Sequence, residues 1–483
     1  MVFSSMIFLC VFLPVVFVLH QILPGIRAKN AMLLITSLLF YAYGEPVYVL
    51  LMMGSAFFNY LTALMIGRRL PAAKQEDGGK ENTPTPGNPA AAKGILALCV
   101  AGNLLLLIIF KYAGFLVESV NVLTGAAFPV PAIRLPIGIS FFTFQAMSYV
   151  VDVYRRVTKA QKNFGRVLLY ISFFPQLIAG PIVKYHDIAE EIEERHAAPE
   201  EIALGIRRFI AGLSKKVLIS NTMGLAADTL FAADMGSVNA AVAWIGAVSY
   251  MLQIYFDFSG YSDMAIGLGK MFGFHFKENF QYPYISSSIR EFWRRWHISL
   301  SGWFQEYLYI PLGGNRKGKT RTVINKFIVF LCTGIWHGAN VTFLFWGIFH
   351  GFFLMLEEFV PVIRSKGGPV KRVLQHIYVL LVVLIGFVFF RADTMTQGAL
   401  WVREMFTGFR FDSQAMALAL GQLTPVYLIT LAAALIASCP VVEKLKKWTA
   451  FGPFSYGVSL AGLLLCILSL AGGTYNPFIY FRF

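Results

Sequence analysis

The sequence predicts an all-α, polytopic integral membrane protein, and three observations carry that prediction. Hydrophobic residues make up 57% of the chain and charged residues 14%, against roughly 45–50% and about 25% in soluble domains. Apolar blocks of membrane length recur from the N-terminal region to the C-terminal region. Basic residues gather in the polar stretches between those blocks, as the positive-inside bias requires. A water-soluble globular protein is excluded. The 483 residues read as one membrane domain, residues 1–483, and not as the several soluble domains of ~150 residues that length alone would suggest.

Taken in order, apolar blocks lie near residues 2–23, 30–44, 46–66, 94–112, 134–151, 167–183, 238–258, 327–355, 375–391, 423–439 and 455–473. Roughly nine to eleven of them are expected to span the bilayer. The first run has no basic residue before it, unlike a cleaved signal peptide, and is expected to stay as a first span. Arg27 and Lys29 follow that run, and Gly44, Glu45 and Pro46 follow the second. Residues 67–93, with Arg68, Arg69, Lys74, Lys80 and Lys93 among Pro, Gly and Asn, follow the third and read as a flexible cytoplasmic loop. Residues 113–133 then hold no Lys or Arg, and Arg155, Arg156, Lys159, Lys162 and Arg166 follow the fifth block. This alternation fits an outside N-terminus.

The block at 167–183 contains Pro175, Gly180 and Pro181. Broken backbone at membrane depth needs surrounding protein or a water-filled cavity, so a re-entrant segment is expected there. Arg207, Arg208, Lys215 and Lys216 among apolar neighbours suggest an interfacial amphipathic helix.

The 41 Lys and Arg exceed the 26 Asp and Glu, giving a net charge of +15. Membrane topology and anionic headgroups account for that excess, so no nucleic-acid partner is implied. Cys10, Cys99, Cys332, Cys439 and Cys466 have neither disulfide nor zinc spacing, and no metal site is expected.

Three stretches in the middle third of the chain carry candidate chemistry. Gly313, Gly318, Lys319 and Thr320 match the phosphate-loop pattern. Such a loop belongs between a buried strand and a helix, and here an aromatic amphipathic stretch precedes it, so nucleotide hydrolysis is rejected. Its cations remain able to attract coenzyme phosphates. The second stretch holds His337, between Lys326 and Glu357. If one helix runs between those polar ends, the imidazole lies about 16 Å from one end and about 30 Å from the other, near mid-bilayer. An ionisable side chain at that depth is functional by default, although a helix-packing histidine is the competing reading. Asn340, three residues on, shares its face in that helix, whereas His350 does not and reads as structural. In the third stretch Trp293, Trp296, Leu300 and Trp303 recur as one helical face, and an aromatic belt explains the tryptophans but not His297. Arg294 and Arg295 point elsewhere and suit an anionic donor. Asp257 and Asp263 need buried partners, which their spacing leaves open.

The segment YSDMAIGLGKMFGFHFKENFQYPYISSSIREFWRRWHISLSGWFQEYLYIPLGGNRKGKT, followed by GIWHGANVTFLFWGIFHG, resembles the membrane-bound O-acyltransferase family in its alginate O-acetylation branch. The stretches LLFYAYGEPVYVLLMMGSAFFNY, LPIGISFFTFQAMSYVVDVYRR and SFFPQLIAGPIVKY extend the likeness from residue 1 to about 355, and the last 100 residues match only in hydropathy.

The resemblance implies a multi-helix fold around a central tunnel, with residues 257–355 as the catalytic core region. It implies a catalytic His337 in the WHG motif and a second catalytic position at His297, with Arg294, Arg295, Trp296, Trp336, Asn340 and Lys319 as donor- or substrate-binding candidates. The expected activity is transfer of an acetyl group from acetyl-CoA, a donor substrate and not a bound cofactor, to an extracytoplasmic polysaccharide. An extracytoplasmic esterase-like (SGNH) partner and a bacterial inner-membrane location go with that activity. D-alanyl transfer to a wall polymer and polysaccharide transport are the alternatives.

Overall fold

The structure, a computed structural model, describes residues 1–70, 88–365, 367–445, 451–473, 475–477 and 479. Helices dominate, and no β-strand occurs among the described residues. Six helices are long and apolar enough to cross a membrane, and a seventh span results if Ser413–Gln422 and Pro425–Ala437, bent by 65°, count as one. The other apolar blocks are broken or shorter helices. Of the expected loop at 67–93, residues 71–87 lie outside the described residues. Its flanks are helical, with one helix running to Arg69 and the next beginning at Pro89 behind an Asn88 side-chain cap.

By contacts the chain divides into two units. The first holds residues 11–202 and 269–276. Its helices Tyr48–Arg69 and Pro89–Leu107 are joined by a buried pair of asparagines, each amide nitrogen donating to the other side-chain oxygen, at 3.1 Å from Asn59 and 2.9 Å from Asn103. Lipid supplies no hydrophobic drive for helix association, so such polar contacts and close packing hold spans together. The expected break at 167–183 is present. Helix Phe164–Ser172 stops, a four-residue turn Phe174–Leu177 follows, and extended backbone leads to Tyr185. The stretch from Val167 to Tyr185 is buried, and protein groups meet several of its polar atoms: Phe174 N–H donates to Ser37 Oγ at 3.1 Å, and Tyr170 Oη–H to the Val183 carbonyl at 2.9 Å. That is the condition under which a membrane protein tolerates irregular backbone.

The second unit holds residues 2–10, 203–268 and 277–483. Its axis is the helix Ala240–Met271, of which the unit takes residues up to Leu268. Helix Pro199–Ser214 and the wider turn Lys215–Ser220 pack against it through glycines, since a Cβ on Gly212 would stand 2.4 Å from the Gly260 carbonyl oxygen. Of the basic residues expected on an interfacial face, Arg207 donates to Ser455 Oγ at 2.8 Å, and the other three are ion-paired. Arg208 and Lys215 each reach Asp263 at 2.6 Å, and Lys216, 2% exposed, reaches Asp257, 1% exposed, at 2.5 Å. A buried aspartate requires such a cation, and this resolves the open question of what the two carboxylates meet.

Candidate active site

Two helix breaks build the site, and each falls at a histidine. In the Trp-rich segment, the Ser288 side chain caps helix Ile289–Arg295, and the buried Glu357 carboxylate accepts from the Ile289 and Arg290 N–H groups at 2.6 and 3.1 Å. A carboxylate satisfies the orphan donors of a helix N-terminus and complements its dipole. The helix ends, His297 adopts φ +46°, and a second helix runs Ile298–Phe304. The expected single helix carrying Trp293, Trp296, Leu300 and Trp303 on one face is therefore corrected. A left-handed residue between two short helices breaks the 3.6-residue register, although all four side chains are buried.

A left-handed backbone costs a non-glycine residue about 1–2 kcal/mol, and Asn279 holds this one in place. Its carbonyl accepts from Ile298 N–H at 2.9 Å, and its side-chain oxygen accepts from Ser299 N–H at 3.1 Å and Ser299 Oγ–H at 2.9 Å. His297 Nδ1 lies 3.2 Å from that same oxygen. An oxygen facing an N–H is an acceptor, so Nδ1 carries the proton and Nε2 presents its lone pair. Nε2 has no hydrogen-bond partner among the described residues, and burial pushes the imidazole down to about 3, which keeps it neutral.

The second break corrects the expectation of one helix from Lys326 to Glu357. Helix Gly318–His337 ends at the histidine, Gly338 is extended, and a new helix runs Val341–Phe359. The two form a tight hairpin because glycines face each other: a Cβ on Gly334 would stand 2.5 Å from the Phe343 carbonyl oxygen, and one on Gly347 would stand 2.4 Å from that of Phe330. Lys326 and Glu358 pair across its open end at 3.0 Å. His337 thus sits at the tip, one helix-length of about 16 Å from Lys326 as the rise per residue requires, and it is half-buried. Asn340 does not share its face. It caps the returning helix by accepting from Thr342 N–H at 3.0 Å, and its Nδ2 donates to the Asp393 carbonyl at 3.0 Å.

His297 and His337 line one cavity, closed by Trp296, Trp346, Phe390 and Ile479. Its free space, about 20 Å³, admits a single water. The Trp336 ring lies 6.2 Å from that of His297 and 5.0 Å from that of His337, and Trp346 and Phe390 each meet His337 edge-on at 5.0 Å. A neutral imidazole beside a second, polarisable one in such a dry pocket is equipped to accept a proton from a hydroxyl.

Of the other candidates, Trp296 is a cavity wall and Trp336 bridges the two imidazoles. Arg294 is exposed, and Arg295 is held by Glu291 at 2.9 Å and by the Gln281 carbonyl. Lys319 is exposed over the Phe359 ring at 5.4 Å. These three cations and Asn340 are not among the cavity's lining residues. The phosphate-like loop around Gly313 and Gly318 follows a wide helical turn, Gln305–Tyr309, and not a strand. His350 is buried between Trp293 and Trp346, with ring centroids 5.1 and 4.9 Å away, as a packing histidine. Sequence reasoning missed Asn279, Glu357, Trp346, Phe390 and Ile479. Phe390 and Ile479 lie outside residues 257–355, in the stretch where only hydropathy was readable.

The helical membrane architecture and this histidine cavity place the chain among membrane-embedded enzymes. A family model described as the membrane-bound O-acyltransferase family matches residues 138–394, and the chain belongs to that family as an acyltransferase. It is 44% identical to a probable alginate O-acetylase of Pseudomonas aeruginosa, over 82% of this chain and 73% of that protein. It is 38% identical to one of Pseudomonas putida over 100% of both. A peptidoglycan O-acetyltransferase of Helicobacter pylori is 35% identical, over 82% of this chain and 78% of the relative.

Proposed function

We propose that this membrane O-acyltransferase passes an acetyl group from a cytoplasmic thioester, acetyl-CoA, through the bacterial inner membrane to a hydroxyl of an extracytoplasmic polysaccharide such as alginate. The observation that carries this reading is the meeting of His297 and His337 in one cavity from two separate helix breaks. Relatives named as acetylating alginate and peptidoglycan support the acetyl group and the glycan acceptor.

In this mechanism His337 takes the proton of the acceptor hydroxyl as its oxygen attacks the thioester carbonyl. The carbon–sulfur bond breaks, and the proton leaves with the coenzyme thiolate. His297, neutral, lining the cavity and with its Nε2 lone pair unengaged, positions the attacking group or relays the proton. The free space admits one water, so the aromatic walls shift to admit an acyl group. Where the attacking hydroxyl is a serine of an extracytoplasmic esterase-like partner, that partner then carries the ester to the polymer.

The test compares surface glycan from cells with the chain, without it, and with His337→Ala. Exported polymer lacking O-acetyl esters in the latter two is the expected result. Polymer retained inside cells would instead indicate transport, and lost D-alanyl esters would reassign the acyl group. Labelled acetyl-CoA supplied to the purified protein with an acceptor then tests the donor.

A further inference from the structure

We propose that the first unit carries a binding site for the phosphate headgroup of an anionic phospholipid, built where helix Tyr48–Arg69 leaves the membrane. The site is a cavity of about 610 Å³, and Arg68, Arg156, Lys159 and Lys162 are among its lining residues. No carboxylate lines it. Neighbouring Arg166 is paired with Glu193 at 2.6 Å, whereas none of these four cations forms an ion pair among the described residues. Four like charges around one hollow repel one another and favour a bound anion.

Three further observations select a lipid phosphate. Helix Tyr48–Arg69 is one of the candidate spans, and Arg68 lies in its last turn, so the cations stand at headgroup level. The charge alternation along the sequence puts the 67–70 and 155–166 stretches on one side of the membrane, the cytoplasmic side, and the fold brings both to this hollow. An apolar track also leads away from it. Phe57, Leu61, Leu64 and Arg68 succeed one another at helical spacing of four, three and four residues, and Phe57 and Leu61 are 47% and 39% exposed. A charged hollow continuous with an outward-facing hydrocarbon stripe matches a molecule with a phosphate at one end and an acyl chain at the other. Basic pockets beside membrane helices on the cytoplasmic side bind such headgroups. The site uses none of the histidine cavity's residues, so it stands or falls separately from the acyl-transfer reading.

The experiment is a lipid titration of the purified full-length chain in nanodiscs or detergent, read by native mass spectrometry, with phosphatidylglycerol against phosphatidylcholine as probes. Expected is a preference for phosphatidylglycerol that falls roughly fivefold for each cation removed, and about a hundredfold in Arg156→Gln/Lys159→Gln/Lys162→Gln. Lys159→Glu alone, a milder change on an exposed side chain, keeps the test valid if the triple variant misfolds. Inorganic phosphate and coenzyme A are the competing arms, since both offer phosphate without an acyl tail anchored in the bilayer. Retention of the lipid against both competitors supports the proposal. Equal binding of the two lipids, unchanged binding in the variants, or displacement of phosphatidylglycerol by coenzyme A at equal concentration would overturn it.

Discussion

Asn279 fixes the tautomer of His297. One amide oxygen faces Ser299 N–H, Ser299 Oγ and His297 Nδ1 together, while the Asn279 Nδ2 group donates to Ser262 Oγ at 2.9 Å. The imidazole proton is thereby committed to Asn279, and the lone pair stays on Nε2 of a ring that lines the cavity. A residue with no part in the chemistry sets which nitrogen can take part.

If His297 must be neutral to act, Asn279→Asp will shift the acid limb of the pH–rate profile to higher pH. A carboxylate at Nδ1 stabilises imidazolium and opposes the burial that now holds this ring down at about 3. Asn279→Ala is expected to lower kcat at least tenfold with KM for the donor little changed. An unshifted profile in the Asp variant would leave Asn279 with a packing role only.

His337→Ala should leave the chain folded and inserted while acyl transfer falls by ~10²- to 10⁴-fold, the usual worth of a general base. Single-turnover assays with labelled donor, alongside a melting curve, separate lost chemistry from lost structure. A near-normal rate in a well-folded variant counts against His337 as the base.

How much of this was legible beforehand differs between the two histidines' identities and their settings. The WHG motif and the Trp-rich run singled out His337 and His297 as residues. The two breaks escaped notice because hydropathy and periodicity register the composition of a stretch, and a turn of one to three residues changes neither. Gly338, beside His337 and Asn340, interrupts an otherwise apolar run only briefly, and the left-handed His297 has no glycine to announce it. Phe390 and Ile479 reach the cavity from the C-terminal third, where only folding brings them near residue 297. Lys216 and Asp257 were individually conspicuous, but their pairing is a long-range contact that no spacing encodes.

The hairpin makes its own prediction. Gly334→Leu or Gly347→Leu drives a side chain into backbone 2.5 or 2.4 Å from the first added carbon. Overpacking of this kind typically costs about 1–3 kcal/mol, and here it also separates the arms that hold His337 at their tip. Both variants are expected to melt earlier and to lose activity, whereas Gly302→Ala, with nothing within 4 Å of its new carbon, should match the parent in both measurements.

Glu357→Ala removes the carboxylate that receives two N–H groups at the start of helix Ile289–Arg295. Losing a cap costs about 0.5–2 kcal/mol, and the helix that leads into His297 loosens with it. Glu357→Gln, which keeps one acceptor oxygen, should retain most of the activity that the Ala variant loses.

The first unit carries a separate pH signature. Burial disfavours the His275 imidazolium, but the Glu201 and Glu191 carboxylates, 3.0 and 2.7 Å from its two nitrogens, outweigh that and raise its pKa above the usual 6.5. A raised value means the stabilisation is fully present below pH 6.5 and is lost as pH climbs through the folded-state value. The melting temperature of His275→Gln should fall below the parent's in mildly acidic buffer and converge with it in alkaline buffer. A gap independent of pH would show that charge is not what His275 contributes.

Ser4 and Asn476 meet inside the second unit, the Asn476 amide donating to the Ser4 carbonyl at 3.0 Å, and two residues past Pro477 the Ile479 N–H donates to Asp257 at 2.9 Å beside the histidines. Ile479 therefore supplies a side of the histidine cavity, tied through its backbone to an aspartate 222 residues earlier in the chain. During synthesis on the ribosome the earlier spans enter the bilayer long before Ile479 emerges, and until then the cavity lacks a side. A translation product cut short before Ile479 is expected to lack that side of the cavity and to lose acyl transfer however well its earlier segments insert.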